Sequence, residues 1–247
     1  MDPCKGEERH MRPETLKVKI FADGADKEGM LEMYKLPYIR GFTTNPTLMR
    51  KAGIKDYRAF AKEMVRLIPD RPLSFEVFSD DFREMERQAM EIAGWGPNVY
   101  VKIPITTTKG EPAYELAGKL SHAGVQLNIT AIMTLEQVRG ILLKLSPKTS
   151  SYISIFAGRI ADTGRDPLPL MAAAVELLKI VPSAELIWAS PRELLNVFHA
   201  EAIGCQIITV TNDVLKKLKL VDYDLVQYSL DTVKMFYEDA RSAGFSL

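Results

Sequence analysis

The feature that most constrains this chain is its alternation of short β-branched runs with longer amphipathic stretches. Eight runs stand out: LKVKIFAD, YIRGFTT, PLSFEVF, NVYVKIPI, GVQLNIT, SYISIFAG, ELIWAS and CQIITVT. Between them, stretches such as 56–68, 82–93, 111–123, 134–145, 168–181 and 192–202 carry apolar residues at three- and four-residue steps, the period of a helix with one buried face. Strand starts recur at roughly 20 to 35 residues, the length of a parallel strand–helix–strand unit. Eight such units predict an α/β fold, a single-domain (β/α)8 TIM barrel. The alternative, an open doubly wound sheet, usually carries a glycine-rich phosphate loop after its first strand, whereas the turn here reads FADGAD. A last amphipathic stretch over 223–240, with Leu225, Tyr228, Leu230, Val233, Phe236 and Tyr237, exceeds what an eighth barrel helix requires. It predicts an extra C-terminal helix, packed across the barrel base or onto a neighbouring subunit.

The chain's 247 residues, 47% of them apolar, suffice to bury such a core without disulfides. Its 32 basic and 32 acidic side chains cancel, so no net field gathers nucleic acid or an anionic membrane surface, and neither is expected as a partner. No window reaches the ~18 consecutive apolar residues of a membrane span, and the first residues lack the apolar segment of a secretory signal. A soluble, cytoplasmic protein is expected. Residues 1–15 read as a flexible polar leader, with Met11 an alternative start, and 16–247 as the catalytic domain. Cys4 and Cys205 fit neither a disulfide scaffold nor a zinc site and read as incidental thiols.

In a barrel of this kind chemistry sits at the C-terminal ends of the strands, so the informative residues are the polar ones closing each apolar run. They are Asp23; Thr44 and Asn45; Glu76; Lys102; Asn128 and Thr130; Arg159; and Ser190 with Arg192. Lys102 stands inside VYVKIPI. If Val101 and Ile103 face the helix layer, its side chain points into the barrel, where desolvation favours a neutral amine able to attack a carbonyl. The plainer reading is an edge-strand lysine reaching water. Asp23 and Glu76 serve either as acid and base or as neutralising partners of Lys102 and nearby arginines. The AGRIAD and ASPRE segments each set an arginine among small residues, as an anion grip or as surface cations. His10, His122 and His199 are isolated, no metal-ligand spacing occurs, and no metal is expected. Met30, Met33, Met49, Met64, Met85 and Met90 read as core or helix-face fillers.

GFTTNPT at 41–47, YVKIPIT at 100–106, LNITAI at 127–132, FAGRIAD at 156–162 and ASPRE at 189–193, preceded by FADGAD at 21–26, resemble the transaldolase family in the same order. In length the chain is similar to the small transaldolases and fructose-6-phosphate aldolases. The resemblance implies a (β/α)8 class I enzyme that moves a dihydroxyacetone unit between sugar phosphates through a lysine Schiff base, without a cofactor, in a homo-oligomer. It implies that Lys102 forms the imine, that Asp23 handles the proton of the donor hydroxyl, and that Glu76 and Thr130 surround the water of imine formation. Thr44, Asn45, Asn128, Phe156, Arg159, Ser190 and Arg192 are then the candidate substrate-binding residues, with Asn45 on a donor hydroxyl and Arg159, Ser190 and Arg192 on the phosphate. Asp26 adds a negative charge near the mouth where some relatives carry Asn.

Within the family, the fructose-6-phosphate aldolases have glutamine on strand three and tyrosine on strand six, where this chain has Glu76 and Phe156. The pair resembles the transaldolase arrangement. Without a tyrosine hydroxyl to protonate the three-carbon enamine, transfer to an aldose phosphate acceptor outruns release of dihydroxyacetone. The expected reaction is therefore transaldolase transfer from a ketose phosphate such as fructose 6-phosphate. The alternatives are aldolase-type cleavage, use of another anionic ketose such as a sulfonated one, and a binding barrel without turnover.

Overall fold

The computed structural model describes residues 13–245. Most of the expected leader, with Cys4, His10 and Met11, lies outside the described residues, and Pro13–Thr15 forms a 3₁₀ turn ahead of the first strand. Eight strands follow: β1 Lys19–Asp23, β2 Ile39–Thr43, β3 Leu73–Glu76, β4 Val99–Pro104, β5 Leu127–Ile132, β6 Ser151–Ile155, β7 Ala184–Trp188 and β8 Ile207–Thr211. Each pairs in parallel with the next, and β8 pairs with β1, closing the barrel.

The helices are α1 Lys27–Tyr34, α2 Pro46–Lys51, α3 Tyr57–Leu67, α4 Phe82–Ala93, α5 Tyr114–His122, α6 Leu135–Leu142, α7 Ala157–Ala161, α8 Leu168–Leu178, α9 Leu195–Ala202, α10 Asn212–Leu215 and α11 Leu225–Ser242. Their starts follow local chemistry. Asp26, Asn45, Asp56, Asp81 and Asp224 each accept a backbone N–H two or three residues into the helix they open, and Thr134 with Gln137 forms a reciprocal cap on α6. The Asp26 carboxylate, read from the sequence as a charge near the mouth, is spent on the Gly29 N–H at 2.7 Å.

Because both faces of a parallel barrel are covered, the strands are apolar on both sides. Val101 and Ile103 are fully buried in the large cluster between sheet and helices. Tyr100 belongs to a second cluster with Phe21, Tyr152, Ile187, Ala189 and Ile207, which fills the barrel's middle. There the Tyr100 and Tyr152 rings stack at 4.0 Å between centroids, and Phe21 meets Tyr152 edge-on at 5.7 Å. Gly41 makes room for Phe21: a Cβ at that position would sit 2.6 Å from the ring. Toward the strands' N-terminal ends, Lys19 and Glu185 pair at 2.6 Å. The interior thus has an ionic bottom and an aromatic middle, and its polar groups face the C-terminal mouth.

The structure differs from the sequence reading at several points that bear on the site and the surface. The run 151–158 is not all strand: β6 stops at Ile155, and Phe156 opens the short helix α7. α9 starts at Leu195, leaving Arg192 in the preceding loop. Met30, Met49, Met64 and Met85 are core and Met33 packs against it, but Met90 is exposed on α4. The eighth barrel helix is only α10 with a 3₁₀ turn, Lys216–Leu220, after which the chain turns at Asp222 (φ 58°) into α11. That last helix buries none of its residues, so it is not packed across the barrel base; Val226, Val233, Phe236 and Tyr237 are exposed. Cys205 is buried, which pushes its thiol up to about 12 and leaves it inert, as an incidental thiol should be.

Candidate active site

The alternation of β4 that turns Val101 and Ile103 outward turns Lys102 inward, to the mouth end of the barrel. The side chain does not reach bulk water, since the residue is 6% exposed. Its Nζ donates to the Thr44 carbonyl at 2.8 Å and lies 3.3 Å from Glu76 Oε2. Glu76 is the register partner of Lys102 on the adjacent strand, so the ion pair follows directly from the β3–β4 pairing. Lone burial of an ammonium would cost several kcal/mol. The carboxylate and the carbonyl offset that cost, and the lysine stands in a small polar chamber rather than among apolar atoms alone.

On the far side of Lys102, β5 supplies Asn128 and Thr130, paired in register with Lys102 and Pro104. Asn128 is fully buried and fixed at both ends of its amide: Nδ2 donates to Ser74 Oγ at 3.0 Å, and Oδ1 accepts from Ser154 Oγ at 2.7 Å. Thr130 Oγ1 is buried with no hydrogen-bond partner in the protein. A buried hydroxyl without a partner is uncommon and marks a place where a small polar molecule can be held. Beside it the backbone leaves regular geometry, with Ala131 at φ 62° and a register slip between Ile129 and Ile132.

Asp23 closes β1 at the mouth. Its Oδ1 accepts from Thr43 Oγ1 at 2.7 Å, and the Thr43 hydroxyl is also hydrogen-bonded to that of Thr209. Burial pushes the Asp23 carboxyl above the ordinary range, the Lys102 charge and the Thr43 hydroxyl pull it back, and the Glu76 charge raises it again. Both the Lys102 and the Glu76 charges thus act on Asp23, which places the three in one electrostatic neighbourhood.

The other sequence candidates are distributed around this chamber. Thr44 is fully buried, and its hydroxyl donates to the Ser74 carbonyl at 2.8 Å, so its link to Lys102 runs through its own carbonyl. Asn45 caps α2, with Oδ1 on the Leu48 N–H at 3.0 Å. Phe156 packs on the barrel's aromatic cluster, and the Arg159 guanidinium lies 5.4 Å over its ring. Arg192 is gripped through Nε by Asp162 Oδ1 at 2.9 Å and through its terminal nitrogen by Oδ2. The Arg192 guanidinium holds Asp162 below the usual carboxylate range, and the Arg159 charge adds to this, which places both arginines in one neighbourhood. Ser190 adopts φ 60°, and its carbonyl presses on Gly158: a Cβ there would stand 1.6 Å from the oxygen. Only glycine allows the AGR and SPR segments to meet so closely.

Three residues of the site are absent from the list of strand ends. Thr43 and Thr209 point inward by the same alternation that places Lys102, a signal that was available in FTT and IITVT. Asp162, which aims Arg192, lies on no periodic face and gives no such signal. Among the described residues no three His, Cys, Asp and Glu side chains converge as a metal site, and His199 packs against Trp188 with ring centroids 6.3 Å apart. No helix among the described residues is long and apolar enough to cross a membrane.

Comparison with known proteins adds to this geometry. The model of a family described as transaldolase/fructose-6-phosphate aldolase matches residues 20–247. A protein named probable transaldolase from Dehalococcoides mccartyi is 35% identical over 218 residues, covering 87% of this chain and 97% of its own length. Another of that name from Thermoanaerobacter is 33% identical over 231 residues, covering 93% and 100%. Among solved structures, 3-hexulose-6-phosphate synthase from Salmonella typhimurium aligns with a TM-score of 0.54 at 15% identity, covering 85% of this chain and 99% of that one. That last likeness is one of barrel fold.

The hydrogen bond from Thr43 favours the ionised form of Asp23, so Thr43→Val should move the Asp23 carboxyl titration further up in pH. Carbon-13 NMR of that carboxyl reads the change, and a midpoint that stays put or falls would take Thr43 out of this role.

Proposed function

The chain belongs to the transaldolase/fructose-6-phosphate aldolase family, and from that premise we propose that it is a transaldolase which transfers a dihydroxyacetone unit from a ketose phosphate, such as fructose 6-phosphate, to an aldose phosphate. The observation that carries the reading is the buried Lys102 amine paired with Glu76, beside the unpartnered Thr130 hydroxyl. Lys102 passes one proton to Glu76, and the neutral amine attacks the ketone carbon of a donor, a second nitrogen proton moving to the former carbonyl oxygen to give a carbinolamine. Glu76 passes a proton to the departing hydroxyl, water leaves, and a protonated imine remains on Lys102. Thr130 Oγ1 supports this step as a holder of that water.

The iminium then draws electrons from the adjacent carbon–carbon bond. Asp23 removes the proton of the donor hydroxyl on the far carbon, the bond breaks, and an aldose phosphate departs, leaving a three-carbon enamine on the lysine. A carboxyl raised by burial suits a base that must both take and return a proton. An acceptor aldehyde reverses the sequence with a new chain. Phe156 supports transfer over cleavage, since its ring offers no hydroxyl to protonate the enamine. Arg159 and Arg192, the latter aimed by Asp162, support recognition of the anionic tail, with Ser190 beside them and Asn45 toward a donor hydroxyl.

A coupled assay with fructose 6-phosphate and erythrose 4-phosphate tests the reading. Lys102→Ala should lower kcat by about 10⁴-fold or more, and joint Arg159→Ala and Arg192→Ala should raise KM roughly 10- to 100-fold with a smaller change in kcat. Product in the absence of acceptor would favour the aldolase alternative, turnover confined to sulfonated ketoses would change the substrate, and normal turnover by Lys102→Ala would sink the mechanism.

The unburied apolar residues of α11 support a homo-oligomer in which this helix meets a second copy. Sedimentation of the full chain should give a multiple of the protomer mass, and Val233→Glu with Phe236→Glu should reduce it. A wild-type protein that sediments as a monomer would contradict this.

A further inference from the structure

The ladder between β2 and β3 breaks at the rung next to the catalytic lysine. Thr44 N–H donates to the Ser74 carbonyl at 3.2 Å. In a parallel ladder the next rung runs from the Glu76 N–H to the Thr44 carbonyl. That rung is missing. The Thr44 carbonyl accepts from Lys102 Nζ, and the Glu76 N–H donates at 2.7 Å to the hydroxyl of Tyr57, a residue of α3 that lies outside the sheet. The same hydroxyl donates back to the Glu76 carbonyl at 3.1 Å, so both backbone groups of Glu76 rest on one side-chain oxygen.

We propose that Tyr57 is a positioning residue for the Schiff-base site: its hydroxyl replaces the missing rung, which frees the Thr44 carbonyl to hold Lys102 and fixes the backbone from which Glu76 reaches the same lysine. The accounting of backbone groups carries the argument. A buried N–H must find an acceptor. Were Tyr57 unable to accept from Glu76, the acceptor nearest in the ladder would be the Thr44 carbonyl, and Lys102 would face a competitor for it. The ring is well anchored for the task, with Phe78 at 4.4 Å, Trp95 at 5.9 Å and Phe75 at 6.2 Å between centroids. Burial also holds the Tyr57 phenol protonated far above its ordinary range, so one proton always remains for the Glu76 carbonyl. The inference rests on the Schiff-base reading for its kinetic consequence, although the exchange of hydrogen-bond partners does not.

Tyr57→Phe keeps the aromatic packing and removes only the hydroxyl. In the crystal structure of the variant, the Glu76 N–H should close onto the Thr44 carbonyl and Lys102 Nζ should leave it. The single-turnover rate of borohydride-reducible adduct formation with fructose 6-phosphate, and kcat with it, should fall roughly 10- to 100-fold, with KM within about twofold of wild type. A variant that melts at lower temperature but forms the adduct at the wild-type rate would assign Tyr57 a purely structural role and overturn the proposal. Should the wild type itself form no adduct, the Schiff-base reading fails. The variant's coordinates then decide alone: a closed rung sustains the exchange of partners, and an unchanged Thr44–Lys102 bond overturns it.

Discussion

An ammonium buried at the mouth of a parallel barrel has to be compensated where it sits, and Lys102 meets that demand with one carboxylate and one backbone carbonyl. Each compensation shapes its surroundings. The carboxylate comes from the neighbouring strand in register, so β3 and β4 must pair as they do for the ion pair to form. The carbonyl comes from the first residue beyond β2, so the β2–β3 ladder must stop short of it. The end of the ladder and the aim of the lysine are thus set by one interaction, above an aromatic layer that fills the barrel's middle.

That division of labour runs along the barrel axis. Below the chamber, Phe21, Tyr100 and Tyr152 fill the interior, with Gly41 giving up its side chain to admit a ring. In the chamber nearly every buried polar atom is spoken for: Asn128 spans Ser74 and Ser154, and Thr43 links Asp23 to Thr209. Satisfied networks of this kind are rigid, because releasing one member leaves another unpaired in a low-dielectric setting. Thr130 Oγ1 is the exception, and the proposed chemistry gives it the water of imine formation to hold. Local strain gathers at the same level, at Ala131 and Ser190, both non-glycine residues in left-handed conformations at the ends of strands.

Much of this was legible in the sequence because it rests on periodicity. The spacing of eight β-branched runs encodes the barrel, and the apolar flanks of Lys102 encode its direction, since a residue between two helix-facing ones must face inward. The same rule applied to FTT and IITVT would have included Thr43 and Thr209. Periodicity carries no information about features made by contacts between distant loops. Nothing in the sequence marks Tyr57 as a partner of Glu76, or Asp162 as the aim of Arg192. Short helices were equally silent: α7 has five residues, too few to show a period, so Arg159 reads as a strand end when it is helical. The last helix shows the converse case. Its amphipathic pattern is real, but a pattern specifies an apolar face and not what covers it, and in this chain the face is bare.

The measurement that bears most directly on the account is the mass of the intact protein after mixing with fructose 6-phosphate and borohydride, followed by peptide mapping. The account requires a reduced three-carbon adduct on Lys102, discharged when an aldose phosphate acceptor is present before reduction. An adduct on any other lysine, or a protein that turns over the donor without ever becoming covalently labelled, would contradict it.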